Sequence, residues 1–137
     1  MLNIFVPACF LKQFTQFYSK DAARWVLQET ICVKKVGDTL VEFAATDGQK
    51  LLVIRRPLEQ TESIPDGEEY IIPISYLPLK GKYLKYLLTI VEGVACFNDG
   101  ENVYKFPLKK ANYPDYRKLI EEAKGCEKVK NYVAFRW

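Results

Sequence analysis

The residues that could do chemistry in this chain are few, and their spacing argues against catalysis. Histidine is absent from the 137 residues. A serine or cysteine nucleophile therefore has no imidazole base beside it. The four cysteines, Cys9, Cys32, Cys96 and Cys126, are scattered and form no CxxC pair, so a metal site is not expected. Cys32 and Cys96 sit among apolar neighbours and read as small core residues. Asp47, Asp66, Asp99 and Asp115 each stand beside glycine or proline. In such turns a short acid bonds its own backbone. Nothing groups these carboxylates as a metal nuclease requires, and no glycine-rich phosphate loop of the Walker or dinucleotide type is present. A binding or scaffolding protein without cofactor is expected, not an enzyme.

The bulk numbers set the frame for that role. Apolar residues make up 49% of the chain and charged residues 27%, which supports one well-packed domain over residues 1–137. Twenty Lys and Arg oppose seventeen Asp and Glu, a net charge of +3. That is a weak lean toward a polyanion, and pooling several copies would strengthen it. The amino-terminal residues show no signal-peptide pattern, and no run is long enough to span a membrane. A cytoplasmic location with reduced thiols follows as an expectation.

The elements that must position any site come next. Leu2 to Val6 reads as a strand. From Pro7 to Lys20, Phe10, Leu11, Phe14, Phe17 and Tyr18 fall at helical spacing. Lys12, Gln13, Gln16 and Lys20 occupy the opposite face. Trp25 to Lys35, Thr39 to Ala45 and Lys50 to Arg56 read as strands, separated by turns at Gly37-Asp38 and Asp47-Gly48. Tyr70 to Ile74 is a further strand, followed by a short helix from Ser75 to about Leu87, which Pro78 and Gly81 weaken. Leu88 to Glu92, Val94 to Asn98, Asn102 to Leu108 and Asn131 to Trp137 complete the strands. Tyr113 to Ile120 reads as a turn feeding a helical turn. The order β-α-β-β-β thus occurs twice. It predicts an α+β domain with a pair of helices on one side of antiparallel sheet.

Two segments carry a resemblance. Ala44-Ala45-Thr46-Asp47-Gly48-Gln49-Lys50-Leu51 is similar to the "ATDGHRL" segment of the bacterial DNA polymerase III beta sliding-clamp family. Tyr113-Pro114-Asp115-Tyr116-Arg117-Lys118-Leu119-Ile120 is similar to that family's "FPDYRRVL" segment. Ala23 to Leu27 and Tyr70 to Pro73 add weaker likenesses. Each segment taken singly also reads as an ordinary strand–turn–strand or turn. The resemblance covers roughly residues 2 to 122 and fits the middle clamp domain best. Residues 123–137 form a tail.

The resemblance implies a DNA sliding clamp, a processivity factor for DNA replication. Copies would encircle double-stranded DNA without reading its sequence, as a homo-oligomeric ring, most readily a hexamer. It implies a partner-peptide pocket lined by Leu27, Thr46, Gly48, Gln49, Lys50, Leu51, Pro114, Lys118 and Leu119, which would tether a DNA polymerase or another clamp-binding protein. Gln49 and Lys50 stand where the family has His and Arg, so peptide preference would differ. The ending Tyr132 to Trp137 resembles the family's last strand. Phe135 and Trp137 would then form the second wall, or the tail simply adds an edge strand. Lys12, Gln13, Gln16 and Lys20, with Lys80, Lys82 and Lys85 on the second helix, would face the duplex. A monomeric adaptor or decoy that binds clamp-partner peptides without encircling DNA is the alternative.

Overall fold

The computed structural model describes residues 2–80 and 84–116, and the backbone alone of 128–129 and 132–136. The elements run β1 (Leu2–Pro7), α1 (Ala8–Phe14), β2 (Thr30–Val36), β3 (Leu40–Thr46), β4 (Lys50–Pro57), β5 (Glu69–Pro73), β6 (Lys85–Val91), β7 (Val94–Asn98), β8 (Val103–Pro107), β9 (Lys128–Val129) and β10 (Tyr132–Arg136). They form two antiparallel sheets, ordered β1-β6-β7-β8 and β5-β2-β3-β4-β10-β9. The topology is that of a duplicated motif. The first strand of each half joins the three-stranded meander of the other half: β1 lies beside β6, and β5 beside β2. This exchange ties the halves together, so neither sheet is complete without both.

One contiguous core fills the space between the sheets. Ile4 and Val6 of β1, Leu11 and Phe14 of α1, Phe43 of β3, and Tyr86 and Phe97 of β6 and β7 are all fully buried in it. Burying a side chain of this size stabilises the fold by roughly 1.5–3 kcal/mol. The Tyr86 ring meets Phe97 edge-on at 5.8 Å and Tyr104 at 6.2 Å, the geometry that ring quadrupoles favour.

Two helix expectations need correction. The helix starts as expected, but it ends at Phe14 instead of running on to Lys20. The Thr15 hydroxyl donates to the Lys12 carbonyl at 2.6 Å, and the Thr15 and Gln16 amides bond three residues back. Local side-chain bonding of this kind competes with the helical ladder. Phe17 and Tyr18 still pack on the core, from turns. The second helix, expected from Ser75 to Leu87, is absent among the described residues. Ser75 and Tyr76 make a turn, Leu77 to Lys80 are irregular, and Lys85 already belongs to β6. Pro78 disfavours helical backbone at Leu77 and cannot donate within a helix. Its carbonyl instead accepts the Tyr86 hydroxyl. From Lys85 to Val91, burial alternates residue by residue, the period of a strand. The fold is therefore α+β with one helix among the described residues.

Smaller departures have local causes. The strand expected from Trp25 begins only at Thr30. The Leu27 and Gln28 amides both bond the Arg24 carbonyl at 2.9 Å, which coils this stretch, and Glu29 leaves it at φ 53°. Cys32 is fully buried, as expected, but Cys96 is only half-buried. It lies on the face of its sheet opposite the core. Tyr113 to Tyr116 form no helical turn, and residues 117–120 lie outside the described residues. No helix among the described residues is long and apolar enough to cross a membrane.

Candidate partner-peptide site and duplex-facing surface

The strands around the site are apolar on both faces, and each face serves a different cluster. On β4, Leu52 and Ile54 enter the main core, while Leu51 and Val53 point the other way. On β3, Phe43 and Ala45 face the core and Ala44 faces outward. The outward set gathers Leu27, Cys32, Ala44, Leu51, Val53, Ile71, Tyr113 and Tyr116 into a second buried cluster. Residues 27, 51 and 113, far apart in sequence, thus meet on one sheet face. Such double-sided burial explains why these strands read as continuous apolar runs.

The turn between β3 and β4 is built from its own side chains. The Asp47 carboxylate accepts the Gln49 and Lys50 amides, each at 2.8 Å. Burial pushes the Asp47 pKa up, but those amides and the nearby Lys50 ammonium outweigh it, and the net shift is downward. Thr46 Oγ1 donates to the Lys50 carbonyl and accepts the Gly48 amide at 3.0 Å. The Thr46 amide donates to the Tyr113 hydroxyl at 3.1 Å, joining the two motif segments directly. Gly48 sits at φ 94°, as its place in the turn anticipates. Arg24 lies across it and donates to the Asp47 carbonyl at 2.7 Å. Lys50 reaches back to the Gln16 carbonyl at 2.8 Å, behind α1.

The tyrosines hold the second cluster in place. The Tyr116 hydroxyl donates to Glu42, whose buried carboxylate also meets Arg55 Nε at 2.6 Å and Lys34 Nζ at 3.5 Å. Burial raises the Tyr113, Tyr116 and Cys32 pKa values well above their ordinary range, so all three stay neutral. These groups shape the site. Among the described residues no three His, Cys, Asp or Glu side chains gather as a metal site would require.

The expected pocket residues divide by exposure. Leu27, Thr46 and Leu51 are buried, Gly48 and Lys50 half-buried, and Gln49 and Pro114 exposed. Leu51 is wholly covered, so a charge placed there tests folding before it tests binding. Pro114 lines a separate cleft of about 370 Å³ beside Lys34, Lys35 and Glu69. Lys118, Leu119 and Trp137 lie outside the described residues. Phe135 is described by backbone only, paired opposite Leu51.

Sequence reasoning passed over the residue that most exposes apolar surface here, Trp25. Its side chain is 51% exposed, two positions from Leu27. Lys109 holds its loop by donating to the Trp25 carbonyl at 2.5 Å and the Gln28 carbonyl at 3.2 Å, and lies 5.1 Å from the Trp25 ring centre. A tryptophan inside a run expected to be strand gives no sequence signal of exposure.

The expected duplex-facing residues fall on two surfaces. Lys12 and Gln13 are exposed on α1, opposite the buried Ala8, Leu11 and Phe14, and Gln16 and Lys20 follow, also exposed. Lys80 is exposed in the irregular stretch, and Lys82 lies outside the described residues. Lys85 is on a strand, not a helix. Its ammonium lies 4.8 Å from the Phe5 ring, on the face of the four-stranded sheet turned away from the core and from α1.

No family model matches the sequence, and no curated protein matches it. Solved structures do. The DnaN sliding clamp (DNA polymerase III subunit beta) of Bartonella birtlesii bound to griselimycin is similar over 85% of this chain and 34% of the clamp chain, with 22% identity and a TM-score of 0.68. The DNA polymerase sliding clamp of Bacillus subtilis matches over 85% and 32%, with 21% identity and a TM-score of 0.64. The beta subunit from DNA polymerase of Streptococcus pyogenes matches over 87% and 33%, with 14% identity and a TM-score of 0.67. This chain spans about one third of each of those clamp chains. Its fold is that of one domain of a DNA polymerase III beta sliding clamp.

Proposed function

We propose that this protein is a non-enzymatic, cytoplasmic clamp-type scaffold of DNA replication, whose copies join around duplex DNA and tether a polymerase or another protein by a short peptide. The observation that carries the reading is a clamp-domain fold whose α1 buries Leu11 and Phe14 and turns Lys12 and Gln13 to solvent, with Gln16 and Lys20 exposed in the chain that follows. Lysine ammoniums on such a face bind phosphates loosely and without base readout, which suits sliding. Lys85 is not part of this surface. In this reading the peptide site lies at the cluster of Leu27 and Leu51, with Gly48 and Gln49 of the adjoining turn, and the exposed Trp25, two positions from Leu27, is its aromatic anchor. Lys118 and Leu119 of the second motif segment, with Phe135 and Trp137 of the tail, belong to the same proposal.

The test is retention on closed circular against linear duplex of equal length, at high protein concentration. A ring is lost only from an end, so circular DNA should hold the protein longer. Equal retention overturns the encircling reading. A second reading, a monomeric adaptor that binds clamp-partner peptides, is favoured by one observation: the outer edge of β4 is already occupied, by β10 of the same chain.

A further inference from the structure

An open sheet edge is a template for another chain, and the two four-stranded units β1-β6-β7-β8 and β5-β2-β3-β4 have four outer strands to manage. At β1, Asn3 exchanges backbone bonds with Ser63 at 2.8 and 2.9 Å. The Phe5 amide donates to Glu62 at 2.7 Å and the Phe5 carbonyl accepts Arg56 at 2.5 Å. At β5, the Lys109 amide donates to the Ile71 carbonyl at 3.1 Å, and the Tyr113 amide to the Glu69 carboxylate at 3.0 Å. At β4, β10 pairs antiparallel over Lys50 to Ile54. Among the described residues β8 is the one strand of five residues whose outer edge is left wholly bare. The Leu108 amide bonds the Gly93 carbonyl at 2.9 Å, which fixes the phase of the β7–β8 ladder. By alternation, Tyr104 and Phe106 bond β7, and Val103 and Lys105 turn their N–H and C=O groups outward. Among the described residues those outward groups meet no partner, and both side chains are exposed.

This count of edges restricts assembly. With one open edge of this length among the described residues, copies can pair only edge to like edge, an isologous contact that stops at two. A closed ring needs a repeated heterologous joint, hence two different open edges on each copy. β9 is only two residues long and leaves Ala134 to Arg136 of β10 uncovered, three residues against the five of β8, so that end offers no second edge of equal length. The other edge able to take a five-residue strand is β4, where β10 now sits. We propose that β10 is a removable cap: it closes the β4 edge within the chain, and its release lets that edge pair with β8 of a second copy of this chain. The inference rests on the clamp reading for its purpose, but its test measures mass without DNA, so the two can fail separately.

The test uses size-exclusion chromatography with light scattering over a dilution series. The full chain should stay at one or two copies except at high concentration. A chain ending at Glu122, which lacks β9 and β10, should form species larger than two copies over the whole series. Adding Lys105→Pro to the shortened chain should limit it to two copies at most, because proline removes the outward N–H of β8 without touching the β7 ladder and leaves the β4 edge as the one open edge of this length. A shortened chain that is folded by circular dichroism yet keeps the mass of the full chain overturns the proposal. So does assembly beyond two copies that survives Lys105→Pro. If the shortened chain does not fold, the deciding variant is the full chain with Lys50→Cys and Arg136→Cys, its native cysteines replaced by serine. These positions are direct cross-strand partners, at a separation a disulfide can bridge. Oxidised, it should never exceed two copies, and reduced, it should do so at high concentration. Identical masses in the two states overturn the proposal.

Discussion

Gly48→Ala is the most informative single perturbation of the site, because its cost divides into two measurable parts. The first is backbone strain. Gly48 sits at φ 94°, beyond the centre of the left-handed well, and an L-residue there costs about 1–2 kcal/mol. The second is displacement of Arg24. A Cβ on Gly48 would lie 1.9 Å from Arg24 Nη1, so the guanidinium must leave the Asp47 carbonyl it now holds at 2.7 Å. Losing that solvent-exposed bond costs roughly 0.5–1.5 kcal/mol. The full substitution should therefore destabilise the domain by about 1.5–3.5 kcal/mol, read as a lower urea midpoint at unchanged slope. In an Arg24→Ala background the second part is already gone, and Gly48→Ala should cost only about 1–2 kcal/mol, the strain alone. A neutral Gly48→Ala, or one whose whole cost vanishes in the Arg24→Ala background, would refute the reasoning about this turn.

Three further outcomes follow from the same geometry. Tyr116→Phe removes the hydroxyl that donates to buried Glu42 and should destabilise by about 1–3 kcal/mol, measured by denaturation with near-UV circular dichroism as a check on packing. Asp47 and Glu62 both have lowered pKa values in the folded state: burial opposes the shift, but backbone amides together with Lys50 or Arg56 outweigh it. Their stabilisation is thus present above the ordinary carboxylate range and is lost as pH falls through the lowered values. Asp47→Asn should flatten the acid limb of the stability–pH curve, and an unchanged limb would contradict the assignment. Trp25→Ala, at a side chain 51% exposed, should leave the far-UV spectrum intact while weakening a polymerase-derived clamp-motif peptide by about thirtyfold, the loss of one aromatic anchor. An unchanged affinity by calorimetry would remove Trp25 from the site.

Much of the fold was legible because the turns announce themselves. Asp47-Gly48 and Asp99-Gly100 break apolar runs, and both aspartates cap their own turns through backbone amides. The two motif segments were legible as a pair, and the Thr46–Tyr113 hydrogen bond is the physical reason they belong together. The second helix was misread because Ser75 offers an N-cap after the strand, while the evidence for strand lies in the alternation from Lys85 onward. The burial of Leu51 was hidden for a different reason. In a run apolar on both faces, such as Leu51 to Ile54, composition does not say which residues face which cluster. The partner of the tail was equally hidden, since pairing β10 with β4 is a contact across some eighty residues of chain and no local propensity encodes it.

The central claim is that copies of this domain surround duplex DNA, and the direct measurement is the lifetime of the protein on closed circular DNA before and after a single restriction cut. The full chain at high concentration, and more strongly the chain ending at Glu122, should persist on the circle through a salt wash that screens lysine–phosphate contacts. Linearisation should then release both within the time needed to slide to an end. Loss from the intact circle in that wash, or retention unchanged by the cut, would contradict the account.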